Sequence, residues 1–512
     1  RGVFIRSMMT SKLIIRSSIV RLSYTIVAMA ISFFMMPFII RHLGDRWYGI
    51  LTMLSALTGY YYLIDFGLAS AVTRYVTMYI ARNDHENTNI VINTSLAIYC
   101  VMALVIFLVT IFVCYFAHLF ISERDDLALI RIALMIMGIN LVLEFPFKAF
   151  AGIIGAYVRY DLLTYSHFFG LVLSTGLTIY FLSLGYGIVA LATIGLVTSI
   201  ISNIIFCFIA RYLYKAMQLS KRYFRKSQIR ELFSYSVWTF VMQISEQMRY
   251  RIDAFVIAWF LSANAVTLYS VGANFPLAVI NLIYRATNFL VPVFTRDYAE
   301  GNIREIQERL LFATKINAIL ATFGGGLLII IGKPLIIRWI GDEYLDAYPV
   351  LVILTVGIII ESIQNPSNNV LMAISRHRYF ACVNLAEGVG KLLLSIALVQ
   401  SYGIVGVGYG TVIPLLISRM IVMPHYVASS LGMSLWKYYT QVLNIVGGTV
   451  IYLLVVAFLS EKYLSTPEYS RLVTLSLITL PFYLVTTIFF FTKTEREIIF
   501  QLLPVKICKQ RQ

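Results

Sequence analysis

Long apolar runs separated by short polar stretches dominate this chain, and that pattern decides its class of fold. Hydrocarbon offers no water to backbone N–H and C=O groups, so a segment that crosses it must satisfy them internally, as a helix of about 20 mostly apolar residues does. Runs of that length occur at 18–41, 47–68, 89–119, 127–155, 162–183, 186–210, 233–260, 264–294, 309–333, 347–374, 379–400, 403–425, 438–460 and 470–492. The run at 47–68 is the least regular, because Asp65-Phe66-Gly67 interrupts it. The composition agrees: 13% of residues are charged, against roughly 25% in a soluble domain. The expected fold is all-α, a polytopic membrane protein with about fourteen transmembrane helices and no room for a soluble catalytic domain.

Net charge is +16, from 41 basic and 25 acidic residues. In a soluble protein such an excess raises the question of nucleic acid; here its placement points instead to basic cytoplasmic loops. Bases gather in the N-terminal stretch (Arg1, Arg6, Lys12, Arg16, Arg21), in 211–230, which holds no acid, and in the tail (Lys493, Arg496, Lys506, Lys509, Arg511). The alternate loops at 119–126 and 338–346 are acidic, and those near 184 and 402 carry no charge. Both termini are therefore expected on the cytoplasmic side of the membrane, with no nucleic-acid partner. Trp47, Trp259, Trp339 and Trp436 fall at span ends, as interfacial belts require. Cys100, Cys114, Cys207, Cys382 and Cys508 show no metal or disulfide spacing. Cys508, in the basic tail, is a lipidation candidate or, more plainly, an inert thiol. No phosphate-binding GxxxxGK[ST] loop occurs, so neither ATP hydrolysis nor a cofactor is expected. Asn93-Thr94-Ser95 matches a glycosylation acceptor but lies at the cytoplasmic edge of a span, where the match reads as chance. The chain begins with Arg rather than Met, so residues are expected to precede it; no cleavable signal peptide is expected, since the first apolar run is long enough to span.

The chain also repeats itself. Leu43-Gly44 and Tyr48-Gly49 have a weak echo at Leu261 and Tyr269. More clearly, 140–161 (NLVLEFPFKAFAGIIGAYVRYD) resembles 360–380 (IESIQNPSNNVLMAISRHRYF), each with a mid-segment proline (Pro146, Pro366) and Arg-Tyr at the cytoplasmic end. Both echoes lie about 220 residues apart. They predict a six-helix lobe with its basic linker at 1–225, a second six-helix lobe at 226–430, and two further helices with a basic tail at 431–512. An even number of spans per offset gives the halves one orientation, related by a pseudo-twofold axis along the membrane normal and enclosing a central cavity.

Ionisable groups are costly in hydrocarbon and normally face a cavity or a partner. Thr239, Gln243, Glu246, Arg249 and Asp253 share an arc of roughly 120° at helical spacing. They form either the polar lining of an aqueous cavity or a self-satisfied Glu–Arg–Asp packing network. Asn274, Asn281, Arg285 and Asn288 also share one face, with Pro276 and Pro292 able to bend the helix. Arg285 is an anion-ligand candidate, or pairs with an acid on another helix, or snorkels. Glu144 with Lys148, Asn384 with Glu387 and Lys391, and Glu361 with Gln364 and Asn368 each read as lining or as local pairs and interhelical bonds. Arg21, on one face with Thr25 and Ser32, and Arg74 read as entrance residues or as positive-inside anchors.

Residues 37–82 carry a further signal: Leu43-Gly44, Tyr48-Gly49, Asp65-Phe66-Gly67-Leu68, Ala71 and Arg74. This pattern resembles the opening of bacterial polysaccharide-transport flippases of the multidrug/oligosaccharidyl-lipid/polysaccharide exporter superfamily. The resemblance implies a flippase that moves a polyprenyl-pyrophosphate-linked oligosaccharide from the cytoplasmic to the outer leaflet by alternating access, in the making of O-antigen, capsule or exopolysaccharide. It also implies a cationic cavity, for which Arg21, Arg249, Arg285, Arg74, Asn281 and Asn288 are the substrate candidates here. Asp65, Glu144, Glu246 and Asp253 depart from a uniformly positive cavity and become candidates for H⁺ or Na⁺ coupling. Membrane lipids, a polysaccharide polymerase and glycosyltransferases are the implied partners. Two alternatives compete. A cation-coupled multidrug extruder of the same superfamily needs acids without a competing arginine, and Arg249 beside Glu246 argues against it. An integral-membrane polymerase or glycosyltransferase needs a sizeable polar outer loop, and the outer loops are short.

Overall fold

Among the described residues, seventeen α-helices joined by short 3-10 and π turns make up the architecture, and there is no strand. The computed structural model describes residues 2–120, 126–287, 290–461, 463–465, 468–487, 490–491 and 495–496; the side chains of 2–19, 119–120, 234–239, 285–286, 377 and 465 lie outside that description.

Helix α1 (Gly2–Leu43) stops at Gly44, whose φ of +81° suits a residue without Cβ. The chain returns as α2 (Asp45–Tyr61), then breaks at a 3-10 turn and two left-handed residues, Phe66 (φ +47°) and Gly67 (φ +75°), before α3 (Leu68–Ala81). The break falls on the Asp65-Phe66-Gly67 interruption of the apolar run. Helix α4 (His85–Phe120) starts from Asp84, whose carboxylate accepts the backbone and side-chain N–H groups of Asn87 at 3.0 and 2.6 Å. Those donors hold the Asp84 carboxyl below the usual carboxylate range. Helices α5 (Leu127–Ala156), α6 (Tyr160–Ser183) and α7 (Ile188–Leu213) follow. Helices α8 (Lys226–Tyr250) and α9 (Ile252–Phe260) meet at Arg251, which leaves the helical region at φ −123°. Then come α10 (Ala263–Thr287), α11 (Leu290–Ala299), α12 (Ile303–Trp339), α13 (Tyr348–Ala373), α14 (His377–Ile417), α15 (Met423–Leu431), α16 (Leu435–Ser460) and α17 (Tyr469–Thr487).

Among the described residues, eleven stretches are long and apolar enough to cross a membrane, against the fourteen expected. The differences have physical causes. The stretch 378–431 counts once, although Gly403 (φ +58°) breaks α14 where two apolar runs meet. The α2–α3 and α8–α9 segments are each cut into shorter, charged helices. Helix α4 shows what the long ones do. Val101, Leu104, Leu108, Phe112 and Tyr115 form an exposed stripe at steps of three and four, while Met102, Ile106 and Thr110 are buried. An apolar stripe of this length facing outward suits lipid rather than water. Trp259 and Trp436 are exposed at helix ends. Trp339 is buried, edge-on to Phe275 with ring centroids 4.7 Å apart, so it packs where an interfacial role was expected.

The chain forms two compact units: one of residues 1–267, 384–392 and 399–403, the other of 268–383, 393–398 and 404–512. In the first, Tyr99, Leu141, Phe145, Ile153 and Val72 form a core under α3, α4 and α5. Helices α4 and α5 touch at Gly138, where a Cβ would stand 2.3 Å from Thr110 Cγ2. In the second, Ile319, Phe323, Leu327, Ile363, Leu453 and Tyr483 form a core on α12.

The sequence echo reappears as a repetition of turns. Left-handed residues recur in pairs 217 or 218 positions apart: Asn83 and Gly301, Val158 and Ser375, Gly185 and Gly403. The first two pairs also share their hydrogen bonding. Val158 donates to Gly155 and Arg159 to Ile154, as Ser375 donates to Met372 and Arg376 to Leu371. Asn83 and Asp84 donate to Ile80 and Tyr79, as Gly301 and Asn302 donate to Tyr298 and Asp297. Each is a helix C-terminus closed by a left-handed cap.

Candidate functional site

Two clusters of charge sit inside the first unit. The α2–α3 break carries Tyr62 and Asp65, and α5 brings Glu144 and Lys148 to them. Asp65 is buried and caps α3 by accepting the Ala69 amide at 3.5 Å. Lys148 Nζ lies 3.9 Å from Asp65 Oδ1 and over the rings of Phe145 and Tyr62, at 4.0 and 4.6 Å. The Tyr62 hydroxyl donates to both carboxylate oxygens of Glu144, at 3.1 Å each. Glu144 and Lys148, one helical turn apart, are thus both engaged by the helix break, and Lys148 stands between charge and aromatic faces.

The second cluster forms at the α8–α9 break. Interruption at Arg251 leaves the last carbonyls of α8 without a following turn of helix. Arg249 Nε binds Glu387 Oε1 at 2.6 Å. Lys391 Nζ binds Asp253 Oδ2 at 2.9 Å and also donates to the Arg249 backbone carbonyl. All four side chains are buried. Helix α14 approaches closely because Gly388 sits between Glu387 and Lys391, where a Cβ would come within 2.9 Å of Met248 Cβ. Helical spacing of four, on α8–α9 and again on α14, brings two cations and two anions into register.

The other sequence candidates are placed as follows. Glu246 is exposed on α8. Arg21 is exposed, with its guanidinium 4.7 Å from the Tyr160 ring centroid. Arg74 is exposed, 5.9 Å from the Tyr75 ring centroid. Asn281 is exposed, and its amide donates to the Leu277 carbonyl at 2.8 Å. Arg285 belongs to α10, but its side chain lies outside the described residues, as do the side chain of Thr239 and the whole of Asn288. In the second unit, α13 spends its polar face on bonds between helices. Tyr284 donates to Glu361 at 2.7 Å, Asn365 to Thr287 at 2.6 Å, and Tyr438 to Gln364 at 2.8 Å.

Sequence reasoning missed three features. Arg419 is fully buried in a π turn after α14 and reaches Asn368 at 3.4 Å; a lone arginine inside the apolar run 403–425 was its signal. Buried Lys315 binds Glu495 at 2.9 Å. The third is a clamp. Asn89 holds Ala216 O and Gln218 N at 3.0 and 2.9 Å, and Asn93 holds Gln218 O and Ser220 N at 2.8 and 2.9 Å. Thr94 accepts the Arg225 amide at 3.1 Å. The Asn-Thr-Ser match therefore sits where α4 grips the basic linker, whose Lys215, Lys221, Arg222, Arg225 and Lys226 are exposed.

Buried charge on span-length helices, a broken second helix at Asp65-Phe66-Gly67 and turns that recur 217 or 218 residues apart mark this chain. Residues 14–297 match the family described as polysaccharide biosynthesis protein. The chain belongs to that family. The resemblance read from residues 37–82 lies within the matched stretch. A search of curated proteins finds the uncharacterized membrane protein EpsK of Bacillus subtilis, 23% identical over 80% of this chain and 81% of that protein. It also finds a putative O-antigen transporter of Shigella flexneri, 24% identical over 72% of this chain and 87% of its own. Among solved structures, the lipid II flippase MurJ in an inward closed conformation covers 95% of this chain and 100% of its own, with a TM-score of 0.69 at 17% identity. An inward-facing multidrug resistance MATE family transporter of the MOP superfamily covers 82% of this chain and 99% of its own, with a TM-score of 0.67 at 15% identity. The family member described here thus shares the fold of these two solved proteins, in a multi-span membrane protein.

Proposed function

We propose that this family member is a flippase, not an enzyme, and that it carries a polyprenyl-pyrophosphate-linked oligosaccharide from the cytoplasmic to the outer leaflet by alternating access. It would do so with both termini cytoplasmic, in the inner membrane of a bacterium assembling O-antigen, capsule or exopolysaccharide. The observation that carries this reading is buried ionic chemistry within apolar helices, at the α2–α3 and α8–α9 breaks. Groups so costly to bury are retained where a charged cargo or a moving element uses them. The family description and the O-antigen relative support a polysaccharide cargo. Exposed cations on the linker at 215–226 suit the attraction of anionic lipid to the cytoplasmic leaflet. The pairing of Glu387 with Arg249 and of Asp253 with Lys391 disfavours a multidrug cation extruder, whose acids must be open to a cationic drug.

The test is complementation. Arg249→Ala and Arg285→Ala, separately and together, are introduced into a host whose own copy is deleted. Loss of surface polysaccharide, with the protein still in the membrane and the lipid-linked precursor accumulating inside, is the expected outcome. Normal polysaccharide in the double variant removes these arginines from the site. Drug sensitivity with normal polysaccharide moves the function to the multidrug branch.

A further inference from the structure

Lys391 occupies an unusual place for a lysine. Its ammonium donates to the Asp253 carboxylate at 2.9 Å and to the backbone carbonyl of Arg249, and the residue is 2% exposed. The carbonyl is available because α8 ends one residue later, at the Arg251 break. A carboxylate and a carbonyl released by helix interruption are the hard oxygen donors with which membrane transporters hold an alkali cation. Arg249 does not compete for the position, because its guanidinium engages Glu387 at 2.6 Å. The four buried side chains Arg249, Glu387, Asp253 and Lys391 sum to zero charge, so a further cation among them would leave an unbalanced buried positive charge.

We propose that the Lys391 ammonium is the resident cation of a latent alkali-cation site made by the Asp253 carboxylate and the Arg249 carbonyl, tethered to α14 in place of an exchangeable ion. Asp253 is then not the residue through which Na⁺ drives transport in this chain. Removing the ammonium leaves a buried net negative charge with oxygen ligands already in position, and a free Na⁺ or Li⁺ takes the place of the side chain. The proposal concerns the protein's own charge balance and holds whatever lipid the protein carries.

The experiment uses the purified full chain in detergent, with choline as the background cation and thermal unfolding as the readout. Wild type is expected to be insensitive to Na⁺ and Li⁺. Lys391→Ala is expected to unfold at lower temperature in choline and to recover roughly 3 °C when Na⁺ is raised to about a hundredfold above its Kd. Ethylammonium, a severed lysine head, is expected to restore it as well. Lys391→Gln keeps two N–H donors and serves if the alanine variant does not fold; the same Na⁺ response is expected of it. Lys391→Ala with Asp253→Asn is expected to lose the response. A Lys391 variant stabilised by low pH but by none of these cations would show that Asp253 merely takes up a proton, and overturns the proposal. So does a wild type that Na⁺ stabilises and Asp253→Asn desensitises.

Discussion

Replacing Glu387 by Gln keeps the shape of the side chain and removes the charge that faces Arg249. At 2.6 Å the pair's attraction is large: with an effective dielectric of about 20 it amounts to roughly 6 kcal/mol. Nearly all of that offsets the desolvation of two ions, so the intact pair contributes little against an apolar replacement. Removing one partner is different, because the guanidinium stays buried without its carboxylate, and the cost rises to about 3–5 kcal/mol. For a chain of this length that corresponds to a fall of roughly 3–5 °C in unfolding temperature. Arg249→Met combined with Glu387→Met removes both ions and is expected to return to within about 1 kcal/mol of wild type. Thermal unfolding in detergent, followed by the loss of helical circular dichroism, measures all three. A Gln variant as stable as wild type, or a double variant no better than the single, would show that the Arg249–Glu387 contact is not an ion pair buried in a low-dielectric site, and the reasoning would fail.

Two more expectations concern packing. Asn89→Ala and Asn93→Ala each remove two hydrogen bonds to linker backbone. At about 1 kcal/mol per bond, trypsin cleavage after Lys215, Lys221, Arg222 or Arg225 should become roughly tenfold faster or more, read by gel and mass spectrometry, while the helical circular dichroism stays unchanged. Gly138→Ala gains helix propensity but drives a methyl to 2.3 Å from Thr110 Cγ2, on a side chain already fixed by its bond to Ile106 O at 2.8 Å. A net loss of about 1–3 kcal/mol is expected, and Thr110→Ala in the same chain should restore most of it; an unaltered unfolding temperature in the single variant would mean that α4 and α5 are free to separate.

Much of this molecule was written locally. The apolar runs and their polar breaks gave the helices, because a backbone in hydrocarbon has few ways to satisfy itself. Asp65-Phe66-Gly67 announced the α2–α3 break, and the echo near 220 residues announced turns that recur at 217 or 218. Glu387, Lys391, Arg249 and Asp253 were visible as polar stripes, since helical spacing alone places i and i+4 on one face. Which stripe meets which was not visible. Lys148 stood four residues from Glu144 and reads as its partner, yet it also reaches Asp65 from another helix. Asn93 reads as part of a chance motif in the sequence, and in the fold the linker lies against it. Arg419 and Lys315 drew no notice in sequence because their partners, Asn368 and Glu495, are 51 and 180 residues away. Sequence by itself determined the class of fold, the places where helices break and the faces that carry charge, all of which depend on residues within a turn or two of one another. Tertiary structure alone decided the pairing of those charges, because the cost of burying an ion is met by whichever opposite charge the packing of distant helices brings within about 3–4 Å.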